Sequence, residues 1–260
     1  MSGRWSRLKQ GFILWAAGVL SAVAVLPFYF HINAAILEKA AAKGVTGPLV
    51  AALFVLQIGV FLAIAVPVGL WAASRLALRA PLSEALATGQ NLREVVRPFL
   101  GTAALAGAAT GVVLWLLGAF VIGPAMPGEV AAIRRGITWQ GLPASLYGGI
   151  TEELLCRLFL LSLLGLGARR LLTPTADGLP AAPFWVANGL AALLFGLGHI
   201  PGALASVPLT PAVWAYAIVL NGICGMVFGW LYWRKGLEAA MVAHFMVDIV
   251  LHVIWPALER

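Results

Sequence analysis

The sequence is short of charge. Only 10% of its 260 residues are Asp, Glu, Lys or Arg, whereas 62% are hydrophobic. A soluble domain carries about 25% charged residues, so this chain cannot build a soluble surface and most of its surface must face lipid. The apolar stretches form one continuous series. We therefore predict a single membrane domain over residues 1–260.

Cysteine is also scarce, and two common signatures are missing. Cys156 and Cys224 both lie inside apolar runs, which excludes a disulfide framework. The chain has no H-E-x-x-H pattern, so spacing alone indicates no zinc protease site. No small-residue cleavage site follows the first apolar run, which favours a retained helix over a signal peptide.

Seven apolar runs are long enough to cross the membrane. A helix needs about 20 apolar residues to span the roughly 30 Å hydrocarbon core, and helices are the spanning form that suits such uniform runs. The sequence therefore predicts an all-α, polytopic helical bundle of about seven spans, with eight as the alternative. The runs are 11–30, 48–72, 100–123, 143–168, 184–201, 208–233 and 237–256.

The positive charges fall between the apolar runs, mostly on one side of the membrane. Despite a net charge of +7, they form no patch for nucleic acid. Lys and Arg are enriched in cytoplasmic loops, so we predict a cytoplasmic N-terminus. Segment 81–99, on the same side, reads as an amphipathic surface helix or as a linker. The predicted cytoplasmic basic residues are Arg4, Arg7, Lys9, Arg75, Arg79, Arg93, Arg97, Arg169, Arg170, Arg234 and Lys235.

Polar side chains inside the spans concentrate in the C-terminal half. Ionisable groups there are costly and usually functional. Histidines nearer the membrane surface, such as His31 and His252, read as interfacial residues. Asn221 with Gly222, Gly225 and Gly229 reads first as a face for close helix packing. The main intramembrane polar residues are Glu152, Glu153, Arg157, His199, Asn221, His244 and Asp248.

Helical spacing sorts these residues. Glu153 and Arg157 are four apart, in the order that favours an ion pair. Glu152 is rotated by about 100° from Glu153 and points elsewhere, so it is the carboxylate left for chemistry. At 1.5 Å per residue, Glu152 and His199 can meet at one depth. His244 reaches them only if its span begins earlier than predicted or if the helices tilt.

The chemistry of this set leaves alternatives open. A carboxylate and two imidazoles can activate water by general acid–base catalysis. Glu152, His199 and His244 also match a zinc ligand set with an open position. A proton relay in an ion-coupled transporter would use the same groups, although we see neither the inverted repeats nor the broken helices of transporters. A polar network that only holds helices together is the remaining alternative.

Three motifs resemble those of the CAAX-prenyl endopeptidase and bacteriocin-processing (CPBP, Abi-type) family of intramembrane proteases. They are E-E-x-x-x-R at Glu152, Glu153 and Arg157, F-x-x-x-H at Phe195 and His199, and H-x-x-x-N/D at His244 and Asp248. The resemblance covers roughly residues 140–255. It implies a protease core there, preceded by N-terminal helices over 1–139.

The resemblance implies an intramembrane endopeptidase that cleaves a membrane-associated protein or peptide. In such an enzyme, Glu152 and His199 would activate water, while His244 and residue 248 would stabilise the oxyanion. Glu153, Arg157, Phe195 and Asn221 would support them. Members are described both as metalloproteases and as glutamate-dependent enzymes, and we favour the second, with zinc as the alternative.

Asp248 departs from the family pattern, which often has Asn at this position. An ionised Asp cannot donate to an oxyanion, so Asp248 would have to be protonated, orient His244 or bind a metal. A catalytically silent scaffold of the same family is a further alternative. The Ala-, Gly- and Leu-rich composition suggests a bacterial inner membrane, so prenylated substrates are not expected.

Overall fold

The computed structural model describes residues 2–126, 128, 139–201 and 208–258. These residues are helical and contain no strand, which confirms the all-α prediction. We number the main helices in chain order. They are α1 Ser2–Ala24, α2 Leu26–Ile32, α3 Ala34–Ala41, α4 Gly47–Arg75, α5 Pro81–Thr88, α6 Leu92–Ala125, α7 141–172, α8 Ala181–Gly198, α9 Pro211–Lys235 and α10 Leu237–Leu258.

Several helices are long and apolar enough to cross a membrane. Within the described residues these are α4, α6, α8, α9 and α10. Helices α1 and α2, which meet at 45°, make a sixth if the bent pair is counted as one span. The chain is therefore a polytopic helical membrane protein. The predicted bundle of about seven spans differs from this set by one helix.

That helix is α7. It is helical without a break from 141 to 172, which is long enough to span, but it carries Glu152, Glu153 and Arg157 near its middle. These charges make it less apolar than the others. Glu153 and Arg157 are turned into the bundle rather than towards lipid, with side-chain exposures of 0% and 2%. We retain α7 as the seventh predicted span on this ground.

Helix α10 packs against α6, α7 and α9. Its contact with α6 is close because Gly107 lies directly on the backbone of Ala243, and Gly111 lies on Val250. A side chain at either glycine would push the helices apart. Lipid offers little hydrophobic drive for helix association, so close backbone approach at small residues supplies packing energy instead.

The glycine face predicted on α9 is used in part. Gly225 lies against Ala192 of α8, and Gly229 lies against the side chain of Asn188. Gly222 faces open space among the described residues. The close packing of α8 on α9 therefore uses Gly225 and Gly229 of the predicted face but not Gly222.

Segment 81–99 is two helices rather than one. Helix α5 ends at Thr88, and Gly89 follows in the left-handed conformation at φ 74°, which glycine adopts most readily. Asn91 then caps α6 by accepting a hydrogen bond from the Arg93 N–H at 3.1 Å. The surface location of α5 stays a prediction.

A buried carboxylate that the sequence reasoning did not single out ties α10 to α5. Glu238 is 5% exposed, and its Oε1 accepts a hydrogen bond from the Ser83 N–H at 2.9 Å. The Ser83 hydroxyl in turn accepts one from Gln10 Nε2 of α1 at 3.1 Å. Beside this link, the Leu237 N–H donates to the Arg79 carbonyl at 3.0 Å. The start of α10 is therefore fixed to two other helices.

Candidate active site

A cavity of about 840 Å³ lies among α2, α7, α8, α9 and α10, near the end of α1. Six of the eight predicted site residues line it, and the other two stand behind its wall. Four helices of the C-terminal half therefore converge on one space. The lining members of the predicted set are Glu152, Phe195, His199, Asn221, His244 and Asp248.

Glu153 and Arg157 form the ion pair that their spacing predicts. Arg157 Nη1 lies 2.8 Å from Glu153 Oε1, and both side chains are buried. The guanidinium also lies 4.8 Å from the ring centroid of Phe195 and 5.2 Å from that of Phe228, a favourable position for a cation beside aromatic rings. This pair therefore joins α7 to α8 and α9.

Glu152 faces the cavity instead. Its side chain is 26% exposed, and its Oε2 lies 3.8 Å from His244 Nε2. Within the described residues it makes no shorter ion pair. The two adjacent glutamates therefore point to different surroundings, as the helical rotation between them predicts.

His244 lies at the centre of the group. Its Nδ1–H donates to Glu153 Oε1 at 2.7 Å, while Nε2 faces Glu152 and lies 3.7 Å from Asp248 Oδ2. Its ring stacks on Phe228 with centroids 4.6 Å apart. Three carboxylates therefore lie within 3.8 Å of this imidazole. Its Nδ1 is bonded to Glu153, and its Nε2 is the nitrogen near the two carboxylates that line the cavity.

His244 lies at the same depth in the bundle as Glu152, 3.8 Å from its carboxylate, although the count of residues from the cytoplasmic ends of their spans placed it at a different depth. Ser162 of α7 contacts the Tyr232 hydroxyl at 3.0 Å, although α7 continues for ten more residues and α9 ends three residues later. Helix α7 therefore runs past the α9–α10 turn. Counting both helices from a common membrane plane misplaced His244 relative to Glu152.

Asp248 bridges two histidines. One of its oxygens faces His244, and the other lies 3.8 Å from His252 Nε2. Gly148 of α7 leaves the space that Asp248 occupies, because a Cβ there would collide with Asp248 Oδ2. His252, read from sequence as an interfacial residue, lines the cavity. Its spacing of four from Asp248 was the signal that could have placed it in the site.

His199 caps the end of α8. Its Nδ1 lies 2.8 Å from the Phe195 carbonyl, which can only accept, so Nδ1 carries the hydrogen and Nε2 is left with the lone pair in the neutral ring. The two rings meet edge to face with centroids 4.9 Å apart. The F-x-x-x-H spacing therefore fixes both the tautomer and the direction of His199.

A family model described as Type II CAAX prenyl endopeptidase Rce1-like matches residues 134–250. This segment, somewhat less than half of the chain, is similar to that family. All eight predicted site residues lie within it. No curated protein and no solved structure matches the chain. The match confirms the resemblance found in the sequence and, at the level of the family, supports an intramembrane protease of the CAAX type.

The helices that line the site widen locally beside it. Wider, π-helical turns occur at Gly148–Glu152, Leu154–Leu161, Tyr216–Leu220 and Ile249–Ile254. Such turns are frequent at functional sites because they shift the side chains that follow. They adjoin Asn221 and Asp248 and include Glu152. Asn221 itself donates to the Ala217 carbonyl at 2.9 Å.

The donor groups in the cavity bear on the zinc alternative. Within the described residues, no group of three or more His, Cys, Asp or Glu side chains is arranged to hold a metal ion. Although Glu152, His199 and His244 line one cavity, they do not form a compact ligand set in this geometry. We therefore derive no step of the reaction through a metal.

Proposed function

We propose that this CAAX-type protease hydrolyses a peptide bond of a membrane-associated protein or peptide in the active-site cavity, with Glu152 and His199 activating the water. One observation carries the proposal. Of the two glutamates of α7, Glu153 is paired with Arg157 and His244, whereas Glu152 lines the cavity.

Water activation follows from the two groups that face the cavity with free acceptor atoms. The Glu152 carboxylate and the His199 Nε2 lone pair can both accept a proton from a water between them. The water oxygen then attacks the peptide carbonyl carbon, and the proton passes to the nitrogen of the leaving amine as the C–N bond breaks. The products are a carboxylate and an amine.

His244 is the donor that we assign to the oxyanion. In the imidazolium form both ring nitrogens donate, so Nε2–H can point at the negative oxygen while Nδ1–H stays on Glu153. Asp248 lies 3.7 Å from Nε2, on the cavity side of the ring. We assign Asp248 the role of orienting His244, one of the three alternatives that its departure from Asn leaves open.

The cavity suits a substrate held in the membrane. Its wall includes the apolar side chains of Phe28, Tyr29 and Leu251, and pockets lined in this way bind ligands largely through apolar contact. If the N-terminus is cytoplasmic, the cavity lies towards the outer leaflet, because the end of α1 borders it. We place the protein in a bacterial inner membrane on its composition.

The test is cleavage by purified protein in lipid nanodiscs, with a library of membrane-tethered peptides. We expect wild type to cleave a subset, and both Glu152→Gln and His199→Ala to lose that cleavage without loss of fold. Glu238→Gln is the matched control, because it neutralises a buried carboxylate outside the cavity and should keep the activity.

Each contrary result has a defined meaning. Equal cleavage by Glu152→Gln and wild type would remove Glu152 from the mechanism. Loss of activity with a chelator, restored by zinc, would add a metal to it. A folded wild type that cleaves nothing in the library would favour the silent scaffold.

A further inference from the structure

A second cavity lies between α1 and α4, at the end of the bundle where α1 begins and α4 ends. We call it the α1–α4 groove. Its volume is about 1290 Å³, larger than the roughly 300–1,000 Å³ of a small-molecule pocket. It shares no lining residue with the active-site cavity, so a function there would be separate from proteolysis.

Arginine side chains dominate the charge of this groove. Arg4, Arg7, Arg75 and Arg79 line it, against one carboxylate, Glu84. Glu84 is already paired with Arg79 at 3.0 Å. Within the described part of the chain, the other three arginines form no ion pair with a carboxylate, which leaves an excess of positive charge. Guanidinium groups match phosphate oxygens in geometry as well as in charge.

The rest of the groove is apolar and extends into the membrane span. Ala63 and Pro67 of α4 and Phe12 of α1 line it with exposed apolar surface, and the buried Leu62, Val66 and Leu158 lie at its base. Trp15 closes it by donating from Nε1 to the Gly59 carbonyl at 2.9 Å. From Arg75 to Leu62 the groove follows α4 for about 20 Å at 1.5 Å per residue.

We propose that the α1–α4 groove binds one anionic phospholipid, with its phosphate among Arg4, Arg7 and Arg75 and an acyl chain along α4. Charge complementarity selects an anion, and the long apolar floor selects an amphiphile over a free anion or a polar peptide. The bilayer supplies such a ligand at the depth of the groove. The arginines lie at the helix ends, where lipid headgroups are found.

The charge requirement is tested on protein purified in detergent, with bound lipid counted by native mass spectrometry. We expect one copy of dioleoyl phosphatidylglycerol to bind, and dioleoyl phosphatidylcholine to bind more weakly. Replacing Arg7 and Arg75 together by Gln should lower the affinity for phosphatidylglycerol about tenfold to thirtyfold. Replacing Arg93 and Arg97 of α6 by Gln is the matched control, since both lie outside the groove, and should leave the affinity unchanged.

The apolar requirement is tested by filling the groove without changing charge. At Gly11 an added Cβ meets only Leu70 Cδ1, at an ordinary 3.8 Å, so Gly11→Leu should fold and occupy lipid space. We expect it to lower the affinity for phosphatidylglycerol. Gly101→Leu, at an open position on α6, should not. Inorganic phosphate should fail to displace the lipid.

Three results would overturn the proposal: equal loss of affinity in the two arginine pairs, full affinity in Gly11→Leu, or displacement of the lipid by inorganic phosphate. If the Arg7 and Arg75 variant does not fold, the proposal is tested by crosslinking lipid to the wild-type protein. A photoactivatable phosphatidylglycerol should then crosslink to peptides of α1 and α4. Crosslinks spread evenly over the helices would contradict a single site.

Discussion

Two buried carboxylates, one at the active site and one at the start of α10, are held in different ways. Glu153 lies between a guanidinium and an imidazole, at 2.8 Å from Arg157 and 2.7 Å from His244. Glu238 has the Ser83 backbone N–H at 2.9 Å and no cationic partner among the described residues. Both are nearly inaccessible, with exposures of 0% and 5%.

The difference shows that burial of a charge is not in itself a sign of catalysis. Glu238 connects helices at one end of the bundle and lines neither the active-site cavity nor the α1–α4 groove. Glu153 also connects helices, but its partner His244 presents its other nitrogen to the cavity. We infer that Glu153 acts through His244 and that Glu152 alone of the three reaches the substrate.

The largest expected effect comes from separating Glu153 from Arg157. Arg157→Met leaves a buried carboxylate with His244 as its remaining partner, and breaking a buried pair costs about 3–5 kcal/mol. The free energy of unfolding in detergent should fall by that amount. The control is the double replacement of Glu153 and Arg157 by Gln, which removes both charges and should cost less. A larger loss in the double variant would contradict the ion-pair account.

A smaller effect should follow from crowding Asp248. In Gly148→Ala the new Cβ would collide with Asp248 Oδ2 and lie 3.0 Å from His244 Nε2. His244 is held by Glu153 and Phe228, so the Asp248 carboxylate should take most of the shift, and stability should change little. A misplacement near 1 Å in a catalytic group can cost about 100-fold, and we expect cleavage to fall about 10- to 100-fold.

Gly198→Ala is the matched control for that prediction. Gly198 also lines the cavity, but a Cβ there meets nothing within 4 Å. Its cleavage rate should stay at the wild-type level. Similar rates for the two alanine variants would mean that the position of Asp248 does not matter.

The smallest effect is expected at Glu238. Glu238→Ala removes the acceptor of the buried Ser83 N–H, which should cost about 1–2 kcal/mol in unfolding free energy. Glu238→Gln keeps an acceptor oxygen and should recover most of it. Cleavage per folded molecule should match wild type in both. A turnover defect as large as that of Glu152→Gln would instead bring Glu238 into the reaction.

Local spacing predicted much of the site. The Glu153–Arg157 pair and the shared face of Phe195 and His199 follow from a period of 3.6 residues, because partners four apart lie one above the other. The different directions of Glu152 and Glu153 follow from the rotation of about 100° between adjacent residues. These relations lie within single helices and need no knowledge of the tertiary fold.

Relations between helices were not predictable in this way. The hydrogen bond from His244 to Glu153 depends on how far α10 is shifted along α7. That shift depends on the turn at Gly236 and on the bond from the Leu237 N–H to the Arg79 carbonyl. Gly236 has a φ of 103°, which lets the chain reverse within one residue. A count of residues from a flat membrane plane contains none of this information.

The span count shows the same limit. The charges of Glu152, Glu153 and Arg157 make α7 the least lipid-like of the predicted spans. Glu153 and Arg157 pair with each other inside the bundle, and Glu153 also pairs with His244 of α10. Hydropathy measures the match of a helix to lipid. It does not register ion pairs that form inside the bundle.

Glu152 is assigned to water activation and Glu153 to holding His244. The most direct test of this assignment is the single-turnover cleavage rate of Glu152→Gln, measured together with its thermal stability. The peptide is one that wild type cleaves. Loss of a general base costs about 10²- to 10⁴-fold, so we predict a rate lower by that factor in a variant as stable as wild type. A wild-type rate in folded Glu152→Gln would contradict the account.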